Sequence, residues 1–123
     1  MGISRSNKLT DSYYLPLMNE FYVVTALLKL TKTEDGGRKT GILSGYRPNH
    51  VFEYRHSGDM MTAYMGDIRY EGEEFILPGQ QKVVTVRFLR EQPIEKYLKR
   101  GGQWWIHEGS RCVGVAEIIE IQS

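Results

Sequence analysis

The side chains able to do chemistry in this chain are few and scattered. Cys112 is the one cysteine, and His50, His56 and His107 are the histidines. Zinc needs several such ligands converging at close spacing. Here the histidines fall on separate expected elements with no cysteine or carboxylate at ligand spacing, so no metal site is expected and the three read as surface or internally satisfied residues. Cys112 sits between Arg111 and Val113 in an expected strand, with no motif that would mark an activated nucleophile. The acids from Asp67 to Glu74 read as a solvated turn rather than an acid–base pair. The glycine-rich stretch GGRKTG lacks the G-x-x-x-x-G-K-[ST] spacing that cradles phosphates. The early NKLT approaches the guanine-reading N-K-x-D pattern, but Thr10 stands where the aspartate must accept from the ring. No active site, cofactor or GTP binding is expected.

Composition narrows the remaining classes. The chain has 123 residues, with 16 Lys and Arg against 15 Asp and Glu, so a strongly basic field that would bind nucleic acid indiscriminately is absent and any RNA affinity must come from a local patch. A single cysteine excludes an internal disulfide framework and fits a reducing, cytoplasmic setting. No apolar run approaches the roughly 20 residues needed to span a membrane as a helix, and a soluble protein is expected.

Periodicity supplies the elements. Residues 1–20 read as an N-terminal extension, polar at first and then turning to a packed lead-in at Tyr13–Met18. From Phe21 to Lys32 the period is two, with Tyr22, Val24, Ala26, Leu28 and Leu30 on one face. The next stretch, to His50, is rich in glycine and reads as a loop or short strands with turns. Val51–Arg55 and Met61–Met65 alternate across the turn HSGD as a hairpin, and 66–74 reads as acidic and exposed. Val83–Glu91 alternates through Val84, Val86 and Phe88. Pro93 opens a single helical turn that Gly101 and Gly102 stop. Trp104–Glu108 and Arg111–Ile121 pair across Gly109-Ser110, with Val113, Val115, Ile119 and Ile121 expected on one face, and with one ring of Trp104-Trp105 facing in and the other out. About six strands separated by Gly and Pro signals predict an all-β fold, a single closed six-stranded antiparallel barrel over 21–123, since closure removes exposed edges. Tyr22, Val24, Leu28, Val84, Val86, Phe88, Val113 and Val115 are its expected interior.

Three segments in order, DGGRKTGILSGYRPNHVFEYR, ILPGQQKVVTVRFLREQPI and WWIHEGSRCVGVAEIIEI, carry GGR, GYRP, LPG and E-G-x-R-x-V-G at separations that resemble the C-terminal barrel domain of translation elongation factor Tu. The resemblance covers about residues 21–121 and implies that fold without a guanine-nucleotide domain. It also implies contacts with the backbone of a tRNA stem, carried position by position onto Arg38, Lys39, Ser44, Asn49, Glu108 and Gly109. Lys39 stands for the usual histidine, Asn49 for a glutamine, Ser110 for a glycine and His107 for an arginine, while Gln92 takes a place that is often basic. The segment between Pro93 and Trp104 runs about two residues longer than the family pattern.

The residues themselves point more weakly the same way. Arg38, Lys39 and Arg47 fall in 36–48 without an acid, and guanidinium forks suit phosphates. A solvated barrel rim accounts for Arg38 and Lys39 equally well, and Tyr46, Arg47 and Pro48 read as a structural turn. The outward tryptophan would stack on a base or partner, or cover its own sheet. Two readings stay open: a non-catalytic module contacting tRNA or other structured RNA, or a protein-interaction module using the same barrel to bind a translation factor, toxin or other partner.

Overall fold

A computed structural model describes residues 20–122, so the lead-in at 13–18 lies outside the described residues. Six strands, β1 (Phe21–Leu30), β2 (Asn49–Val51), β3 (Ala63–Arg69), β4 (Gln81–Leu89), β5 (Gln103–Glu108) and β6 (Arg111–Ile121), form the fold. All pairings are antiparallel, and the order β1-β4-β3-β2-β5-β6 closes through β1 and β6 into a barrel. The expected helical turn after Pro93 is a 3₁₀ turn at Glu95–Tyr97.

Alternation explains the interior. Val24, Ala26, Leu28 and Leu30 of β1 and Val84, Val86 and Phe88 of β4 point inward and are buried, as the period of two requires. Phe52 stacks on Trp104 at 5.4 Å between ring centroids and on Tyr97 at 4.8 Å, so the 3₁₀ turn plugs one end of the barrel with an aromatic ring. Trp104 is fully buried, while Trp105 faces outward with its edge on Tyr54.

Strand β6 departs from the expected pattern. Gly114, Ala116 and Ile118 face the interior, paired with inward residues of β1 and β5, whereas Val115 pairs with outward Lys29 and Trp105. Ile119 and Ile121 are 42% and 40% exposed. Two bulges set these facings: Val113 has no partner between the pairs Ile106↔Gly114 and His107↔Cys112, which turns Val115 and Ile119 outward, and Ile119 has none between Ala26↔Ile118 and Thr25↔Glu120, which returns Ile121 to the side of Val24, where it is exposed as the last residue of the strand. Each extra residue reverses the facing of the strand beyond it. Of the expected interior, Val24, Leu28, Val84, Val86, Phe88 and Val113 are buried, Tyr22 packs at the edge of the core, and Val115 lies outside.

The hairpin expected over residues 51–65 is also re-aimed. In its expected 61–65 arm Tyr64 is the buried residue, while Met61 and Met65 face solvent. Asp67, expected in a solvated turn, lies within β3 and is only 5% exposed, because Arg87 across the β3–β4 ladder holds both its oxygens and Arg69 reaches one of them. Burial works against its ionised form, but the hydrogen bonds and charges of Arg87 and Arg69 prevail and hold the carboxyl below its ordinary value.

His50 is an internally satisfied histidine. The Trp104 indole N–H, a donor only, points at Nδ1 at 2.9 Å, so Nε2 carries the proton and donates to the Gly66 carbonyl at 3.0 Å. Burial drives its pKa down to about 4, against weaker opposing effects of the Gly66 carbonyl and Asp67.

Candidate functional site

The antiparallel order brings the C-terminal ends of β1, β3 and β5 and the N-terminal ends of β2, β4 and β6 to one end of the barrel. That end carries the connection 31–48, the connection 70–80 and the β5–β6 hairpin. All six residues singled out from sequence, Arg38, Lys39, Ser44, Asn49, Glu108 and Gly109, lie on these loops or on the strand ends that feed them.

Bridges Ile42↔Ile76 and Tyr46↔Ile68 lace the long connection to its neighbours. Its turn at 33–37 is closed by Gly37 N–H donating to the Lys32 carbonyl at 2.9 Å. A Cβ on Gly37 would sit 2.0 Å from the Thr31 carbonyl oxygen, so close backbone approach is why glycine is needed there. Gly36 does take positive φ, at 97°, just after the 3₁₀ turn Thr33–Asp35.

Arg38 is the centre of this end. Its Nη1 is ion-paired with Glu108, Nε donates to the Thr40 carbonyl at 3.1 Å, and Nη2 lies 3.2 Å from the Thr40 hydroxyl and 3.3 Å from the Gly41 carbonyl. The guanidinium also lies 5.2 Å from the centre of the Tyr46 ring, whose hydroxyl donates to the same Glu108 oxygen at 2.5 Å. Burial, followed by the hydrogen bond and charge of Glu108, pushes the Tyr46 hydroxyl far above its ordinary pKa, so it stays a donor. Arg111 closes the ring of contacts by donating to the Gly37 carbonyl at 3.3 Å. Arg38, Tyr46 and Glu108 thus form a clamp joining the long connection to the β5–β6 hairpin.

The other candidates are placed differently. Lys39 is exposed and makes no hydrogen bond or ion pair among the described residues, so its ammonium stands in water next to the clamp. Gly109 is exposed in the hairpin turn, with φ of 60°. Asn49 begins β2 opposite His107, one residue from Glu108, and its carboxamide is uncommitted among the described residues. Ser44 accepts the Tyr70 N–H at 2.9 Å and faces a separate groove of about 720 Å³ shared with Arg69 and Lys82. The structure therefore gathers Arg38, Lys39, Glu108, Gly109 and Asn49 and sets Ser44 to one side.

Sequence reading missed the role of Tyr46, whose hydroxyl completes the clamp. Arg47, expected in a structural turn, is exposed and unpaired among the described residues, although Pro48 beside it is buried. His107 is buried, its Nε2 2.5 Å from the Tyr54 hydroxyl. Gln92 is a structural bracket: its Oε1 accepts the Met65 N–H at 2.5 Å and its Nε2 donates to the Met65 carbonyl at 3.0 Å.

Fold and site together define a small closed β-barrel that presents one ordered, loop-bearing end and no cluster of three or more metal-ligating side chains among the described residues. The model of the elongation factor Tu C-terminal domain matches residues 18–122, and the chain belongs to that family. It is a translation-factor-like domain of a family whose barrel is non-catalytic. No helix among the described residues is long and apolar enough to cross a membrane.

Proposed function

We propose that this chain is a non-catalytic binding module that holds structured RNA, tRNA foremost, by its phosphate backbone at the loop-bearing end of the barrel. The observation that carries this reading is the convergence of the candidate residues on that end, with Lys39 free in water beside a clamp that fixes the loop carrying it. The roles divide by geometry. Lys39 supplies the mobile charge, while Asn49 and the Gly109 N–H supply neutral donors, and such contacts position a backbone without reading sequence. Ser44 donates from the flank. Arg38 and Glu108 neutralise one another, so their contribution is to hold the loop in place and to offer their outer edges. In this reading residues 21–123 are the binding unit, residues 1–20 an extension, and the compartment is the cytoplasm.

The test is tRNA binding measured across a salt series. Lys39→Ala should weaken binding, flatten the slope of log affinity against log salt by about 0.7 to 0.9 for the single phosphate partner removed, and leave the melting temperature unchanged. Absence of salt-dependent tRNA binding by the unaltered protein, or an unchanged slope in the variant, overturns the reading.

A further inference from the structure

The outer wall of the barrel holds a concavity of about 240 Å³ that shares only Asn49 with the proposed RNA contacts. It crosses outward positions of four neighbouring strands, from Asn49 on β2 over Met65 on β3 and Leu89 on β4 to Phe21 on β1, with Pro48 closing one side. Met65 is 62% exposed, the most exposed of the large apolar side chains among the described residues. At this size the groove is below the roughly 300–1,000 Å³ of a small-molecule pocket, and it suits one large side chain.

Three features say what the occupant is. The Gln92 bracket already occupies both backbone groups of Met65, so an incoming chain cannot add there as a strand and must be recognised through its side chains. The Arg87 guanidinium lies 4.4 Å from the centre of the Phe21 ring and so already occupies one face of the groove's only aromatic side chain. Asp67 in the groove wall is matched by Arg87 and Arg69, which leaves Arg47 as the charge on the rim with no partner among the described residues.

We propose that this groove docks a protein partner that lays a bulky apolar side chain over Met65 and sets a neighbouring carboxylate against Arg47. An acidic–apolar segment fits because the apolar floor and the unpaired guanidinium are complementary to it, and because backbone pairing at Met65 is already taken. Its recognition rests on Met65 and Arg47, which the RNA reading does not use, so the proposal stands or falls without that reading.

The test is a titration of the isotopically labelled full chain, followed by amide NMR, with the peptide acetyl-Gly-Glu-Leu-Phe-Glu-Gly-amide. A control peptide carries Gln in place of both Glu residues. Saturable shifts at Arg47, Asn49, Met65 and Leu89, with the acidic peptide bound at least about threefold more tightly than the neutral one, are expected. Arg47→Gln should erase that difference, and Met65→Glu should abolish binding of both peptides without lowering the melting temperature. No shifts up to roughly 1 mM peptide, the weak end of specific binding, overturn the proposal. So do shifts centred elsewhere, equal affinities that ignore Arg47→Gln, or shifts at Met65 and Leu89 produced by tRNA instead of by peptide.

Discussion

Acidification tests how His50 is held. Its neutral tautomer is fixed by two bonds, Nδ1 accepting from the Trp104 indole and Nε2–H donating to the Gly66 carbonyl. A second proton would have to sit on Nδ1, facing a group that can only donate. Burial lowers the folded-state pKa from 6.5 to about 4. The unfolded chain therefore binds the extra proton first as pH falls, and the stabilisation present above pH 6.5 is lost between there and about 4. At ~1.4 kcal/mol per pKa unit the total is about 3 kcal/mol, a large share of the margin of a small domain. His50→Gln retains one acceptor and one donor and removes the titration. Urea unfolding of both proteins at a series of pH values should show the unaltered protein losing up to about 1.4 kcal/mol more per pH unit near pH 5 than the variant. Equal slopes, or an NMR titration that places His50 near 6.5, refute the reasoning.

Tyr46→Phe removes one charge-assisted bond to Glu108 and should cost about 1 to 2 kcal/mol in denaturant unfolding while leaving β-sheet circular dichroism unchanged. Arg38→Ala should lower the melting temperature where Lys39→Ala does not, because only Arg38 holds the clamp together. Trp104→Ala empties the centre of the aromatic core and should cost about 3 to 5 kcal/mol. Gly37→Ala forces a methyl against the Thr31 carbonyl and should destabilise the long connection, measured as faster exchange of the amide at position 37, the N–H that closes the turn.

The barrel and its family were legible in the amino-acid order because the information is local. An alternating run such as Tyr22–Leu30 has only one way to bury its apolar face, and the motifs GGR, GYRP and E-G-x-R-x-V-G mark turns whose backbone demands few residue types. The facing of β6 was not legible: Val113, Val115, Ile119 and Ile121 share a period of two, and only pairing with β1 and β5 reveals the bulge at Val113 that turns Val115 and Ile119 outward and the second at Ile119 that returns Ile121 to the side of Val24. Asp67 looked solvated because its partners Arg87 and Arg69 are brought to it by the β3–β4 ladder and by the turn of the strand. The site divides in the same way. The family motifs picked out Arg38, Lys39 and Glu108 as candidates, but which cation is free and which is spent depends on an ion pair spanning 70 positions in sequence. Loop residues far apart in the chain meet only when the barrel closes, and it is closure that makes Arg38 a clamp and leaves Lys39 and Arg47 facing water.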